Sequence, residues 1–120
     1  MTPAEPRPAA TVVLVRAGTA GLEVFLLRRH ARSGFMANAY VFPGGRLDDA
    51  DLDSRLLARL EGSSPQELAQ LMSGVASAER AAGHVVACIR ETFEETGLLI
   101  GEDRPFDGPL PSAFAAFGAR

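Results

Sequence analysis

One hundred and twenty residues suffice for one small domain, with an ordinary apolar content and a net charge of −3. That balance argues against nucleic-acid scaffolding and against a membrane-surface role, and no apolar run approaches the length of a membrane span. All twelve basic residues are arginine, which removes Schiff-base chemistry and the phosphate-binding lysine of a Walker loop.

Residues 1–10 read as a loose arm rich in Pro and Ala. They lack a cationic start followed by an apolar core, so no signal peptide is expected and cytosol is the default. The run Thr11–Arg16 is rich in β-formers and reads as a buried strand. Ala17–Gly21 turns the chain, and Glu23–Arg29 reads as a second strand pairing with the first as a hairpin. Arg28, Arg29 and Arg32 cluster near its end. They serve either as solvated loop charge or as bidentate donors for a polyanionic substrate.

Ser33–Ala39 reads as a loop and Tyr40–Phe42 as a short strand ending in Pro43-Gly44-Gly45. The glycines are a simple turn or a place where backbone comes close to a ligand. Asp48–Asp53 is an acidic, cap-like opening to a helix carrying Leu52, Arg55, Leu56, Arg59 and Leu60. After a break at Gly62–Ser64, Ser64 caps a second short helix with Pro65 first and Glu67 third, close to a capping box.

From Ala76 the pattern is helical again. Gly83 either kinks this helix or marks its start, and His84 reads as a near-surface helix residue. Cys88, the only cysteine, reads as a small buried residue, and with His30 and His84 it does not form a zinc cluster by spacing. At about 100° per residue Val85, Val86, Ile89 and Phe93 share one side, while Glu91, Glu94 and Glu95 fall opposite. Gly97 stops the helix. Three carboxylates at this spacing repel one another, and a hard divalent cation such as Mg²⁺ or Mn²⁺ is the natural remedy. The alternative is a solvated charged face with an Arg90–Glu94 pair. Leu98–Ile100 would enter a further strand, Gly101–Pro111 form a loop, and Ser112–Phe117 begin a last helix.

The pattern Arg-Glu-x-x-Glu-Glu-x-Gly, here Arg90-Glu91-Thr92-Phe93-Glu94-Glu95-Thr96-Gly97, rarely arises by chance in a chain of this size. It resembles the second half of the Nudix box, and Phe42-Pro43-Gly44-Gly45 resembles the first. Six residues after Gly45 the box has a glutamate; here Asp51 stands there, and Arg90 lies far downstream. The motif is thus similar to a Nudix box split by about thirty residues. With Leu27-Arg28-Arg29 and Ser33–Met36, it resembles the branch of peroxisomal coenzyme A diphosphatases and their bacterial relatives. Asp51 or Glu79 takes over the duty of the missing glutamate.

The resemblance implies an α/β fold, an α/β/α sandwich with a mixed sheet, here with a helical insertion at about residues 46–78 in a single domain over 11–120. It leads us to expect a chain that stops short of the complete domain, with an exposed sheet edge that favours instability, aggregation or a homodimer. It further implies hydrolysis of a nucleoside diphosphate linked to another moiety, with coenzyme A or acyl-coenzyme A leading. Glu91, Glu94 and Glu95 would hold Mg²⁺ or Mn²⁺ together with the Gly44 carbonyl, and Arg90 would orient the glutamates. Arg28, Arg29 and Arg32 would bind the substrate, with Gly45 making the turn beside it. The opposing expectation is a catalytically silent module that keeps the helix without completing a pocket.

Overall fold

A computed structural model describes residues 2–101. The expected loop over 101–111 lies almost wholly, and the last helix entirely, outside them. The α/β class expected above is what the described residues form, with six short strands and a helical segment leading into one long helix.

Each of the two strands expected near the N-terminus divides in two, because its halves find different partners. β1 (Ala9–Thr11) runs antiparallel to β6 (Gly44–Arg46), whereas β2 (Val15–Gly18) pairs with β3 (Gly21–Val24) as the expected hairpin. β4 (Leu27–Arg28) leaves that hairpin to pair with β5 (Tyr40–Val41). β1 begins inside the segment expected as a loose arm, and its ladder is extended by Leu47 donating to the Pro8 carbonyl and Val12 to that of Pro43. All three ladders are antiparallel.

The Gly44-Gly45 turn is corrected: both residues lie in strand β6, and neither has a positive φ. They are glycines for space. A Cβ on Gly44 would strike the Ala10 carbonyl of β1, and one on Gly45 would strike the Glu91 carboxylate.

Between β6 and the long helix run a 3₁₀ turn (Asp49–Leu52), α1 (Ser54–Leu57) and α2 (Pro65–Leu71). The helix expected through Leu60 is broken because Asp53 is extended, with ψ 124°, and its carboxylate accepts the Arg55 amide as a fresh cap. α2 has the expected capping box: Ser64 Oγ accepts the Glu67 amide at 3.2 Å, and the Glu67 carboxylate accepts that of Ser64 at 2.7 Å.

α3 (Ala78–Thr96) starts at the Ser77 cap and ends at Gly97, whose φ of 77° is left-handed. Gly83 neither kinks nor starts it; it admits the Leu52 side chain against the helix backbone. The buried side of α3 also departs from the expected stripe. Of Val85, Val86, Ile89 and Phe93, Val86 alone is fully buried, beside Ala81, Ala82, Ala87, Arg90 and Thr92. The helix is packed on two sides, by α2 and the 3₁₀ turn and by β1 and β6, and small residues allow that close approach. Leu56 and Val86 form the centre of the core, with Leu57 and Leu60 beside them. No strand follows at Leu98–Ile100, and among the described residues no helix is long and apolar enough to cross a membrane.

Candidate active site

The site is built on one buried ion pair. Arg90 points from α3 toward the 3₁₀ turn, where its Nε donates to Asp51 Oδ1 at 2.7 Å and its Nη2 to Asp51 Oδ2 at 3.0 Å. This two-pronged geometry suits a guanidinium and a carboxylate. Asp51 is 0% exposed and the Arg90 side chain 6%. Asp51 Oδ2 also accepts the Asp48 amide at 2.8 Å, and Arg90 Nη2 donates to the Arg46 carbonyl of β6 at 3.0 Å. One side chain therefore ties the long helix to both the 3₁₀ turn and the glycine strand. The hydrogen bonds to Asp51 are the main cause holding the Arg90 proton even more tightly than usual.

Of the two carboxylates left open by the sequence, Asp51 is thus the partner of Arg90. Its spacing from Gly45 was the signal for it. The reading of the surrounding aspartates as helix-cap charge holds here, since Asp51 accepts the Asp48 amide, but Asp51 is buried and not solvated.

The third nitrogen of Arg90 faces the glutamates. Nη1 donates to Glu91 Oε1 at 3.1 Å and to Glu94 Oε2 at 3.0 Å. Glu91 lies against the Cα of Gly45, in the space a side chain there would take. Glu95 turns to the other side, into a cavity of about 760 Å³ shared with Arg28, Arg29, Tyr40, Gly44 and Gly45. Its carboxyl is pushed up first by desolvation and next by the charge of Glu91, with Glu94 adding less and Arg29 opposing.

The structure therefore gathers Glu95, Arg28, Arg29, Gly44 and Gly45 around one hollow, with Glu91 behind its glycine wall. Glu94 and Arg32 are not among the residues lining it. The donors offered are all oxygen, the chemistry a hard divalent cation takes, and Glu95 senses the charge of both other glutamates. Among the described residues no three His, Cys, Asp or Glu side chains are gathered as a metal-holding group. Arg90 supplies the counter-charge to Glu91 and Glu94 instead. The oxygen donors are of the type that suits a hard divalent cation.

His84 donates to or accepts from nothing in this hollow; its Nδ1 lies 2.6 Å from the Arg80 carbonyl one turn back. Cys88 is half-buried, and desolvation pushes its thiol up, which suits packing rather than attack.

Against known proteins, residues 6–110 match the family model of the NUDT19 Nudix domain. The chain is 33% identical over 99 residues to the acyl-coenzyme A diphosphatase NUDT19 of Xenopus laevis, covering 68% of this chain and 26% of that protein. To the same enzyme of Gallus gallus it is 34% identical over 116 residues, covering 79% of this chain and 31% of the relative. The chain thus spans less than a third of the length of these curated relatives. Its backbone is similar to a crystal structure of a NUDIX hydrolase from Alicyclobacillus acidocaldarius, with a TM-score of 0.60 and 25% identity over 94% of this chain and 53% of that one.

Proposed function

Because this chain belongs to the Nudix family, in its NUDT19 domain type, we propose that it hydrolyses a nucleoside diphosphate linked to another moiety, with coenzyme A or acyl-coenzyme A as the leading substrate. The observation that supports this reading most directly is the Arg90–Asp51 pair, with Glu91 on the Gly45 wall and Glu95 facing two arginines in one cavity.

In this reading Glu91, Glu94 and Glu95, with the Gly44 carbonyl, hold Mg²⁺ or Mn²⁺. Bound there, the ion would supply charge neutralisation at the phosphates and a lower pKa for water. Arg90 fixes the direction of the glutamates from within the helix. Arg28 and Arg29 bind phosphate oxygens, with Arg32 adding positive charge from the loop beyond them, and Gly45 keeps the wall open for the substrate. Glu94 is the candidate to take the proton from the attacking water. We read the substrate as a small molecule met in the cytosol.

Titration calorimetry with Mn²⁺, beside release of adenosine 3′,5′-bisphosphate from coenzyme A and of AMP from an ADP-sugar, tests this. Binding with release is expected; binding without release would instead favour a silent module. Arg28→Ala should raise KM for coenzyme A more than for the ADP-sugar, since the former carries an additional 3′-phosphate. An equal rise for both removes the case for coenzyme A.

A further inference from the structure

Phe35 stands on the loop between β4 and β5 and is 68% exposed, yet its ring is not idle. The Arg29 guanidinium carbon lies 5.8 Å from the ring centroid, within range of a cation–π contact. The loop that presents the ring is closed on Arg29 itself. Arg29 donates its amide to the Ala39 carbonyl at 2.8 Å, and Ala39 donates to that of Met36 at 3.1 Å. Met36 and Asn38 take φ values of 48° and 64°, a conformation non-glycine residues adopt rarely and keep only where surroundings impose it. A side-chain bond from Ser33 to the Phe35 carbonyl at 3.3 Å further fixes the tip.

Arg29 has a competing attraction. It lines the same cavity as Glu95 and acts on that carboxylate electrostatically. An arginine free to swing would pair with Glu95, and both charges would be lost to a substrate and its cation. We propose that Phe35 is a positioning residue that holds the Arg29 guanidinium in the cavity wall and away from Glu95, keeping it open to a phosphate group. This deepens the hydrolase reading above and takes its substrate class from it.

Calorimetric titration with adenosine 3′,5′-bisphosphate, which has no anhydride to cleave, reads the grip apart from turnover. Phe35→Leu should weaken binding roughly two- to fivefold, the worth of an exposed cation–π contact, and Phe35→Tyr should restore it. In an Arg29→Ala background the Phe35→Leu change should add nothing. In a coenzyme A assay the loss should fall on KM rather than kcat. Unchanged binding by Phe35→Leu, a loss that persists without Arg29, or no binding of the bisphosphate by the unaltered chain overturns the proposal. Coupled binding in a chain that hydrolyses nothing would sink the hydrolase reading and leave this role standing.

Discussion

The two halves of the candidate site are held by different physics. On one side α3, the 3₁₀ turn and β6 are locked by a fully buried ion pair, a backbone acceptor and a strand without room for side chains. On the other, β2, β3 and the segment through Phe42 leave Leu22, Val24, Phe25, Leu26, Phe35 and Phe42 exposed. The glutamates thus sit on a determined frame, while Arg28 ends a strand of two residues and Arg29 follows it. The contrast teaches that the glutamates are positioned by polar bonding and the arginines by local turn geometry.

The severest test of the contrast is Asp51→Ala. It takes from Arg90 its one fully buried partner, with only more exposed carboxylates left as counter-charge, and should lower the unfolding free energy by about 3–5 kcal/mol. Urea denaturation reads this, and a loss under about 1 kcal/mol would mean that the frame does not depend on the pair. Next, Glu95→Gln should leave the fold intact and cut turnover about a hundredfold or more, since even outer partners of a metal site cost 10–100-fold. Retained turnover would break the assignment of Glu95.

How far these elements were legible follows from how local their signals are. The cap at Ser64, the stop at Gly97 and the glutamate set on α3 are each written within a few residues, and all three are found. Asp51 was visible only as a spacing from Gly45, with nothing local to say that it would be buried. The pairing of Ala9–Thr11 with Gly44–Arg46 joins positions more than thirty residues apart, and an Ala-Ala-Thr run has no alternation to announce it. The glycines were misread because a sequence does not say whether glycine is there for φ or for room.

That last distinction gives a paired test of smaller size. Gly44→Ala drives a methyl into the backbone of β1 and should cost about 1–3 kcal/mol, the range for overpacking. Gly45→Ala meets the far end of a side chain, so it should cost less stability while displacing Glu91 and reducing turnover. Thermal melts and an assay of nucleotide product from coenzyme A separate the two, and equal melting shifts would refute the assignment of these walls. Smallest of all, Leu22→Ser on the hairpin, at a side chain 74% exposed, should stay within about 0.5 kcal/mol of the parent. A larger loss would show that the hairpin is more firmly embedded than its exposure suggests.

The pairing of β1 behind Gly44 has a practical reach. Ala9, Ala10 and Thr11 line the hollow that holds Glu95, and they also line a smaller one on the far side, beside His84 and Cys88. A deletion series that trims the leading residues as spare sequence would strip a wall from both chambers at once. Lost activity in such trimmed versions would then report an opened pocket and say nothing about the glutamates.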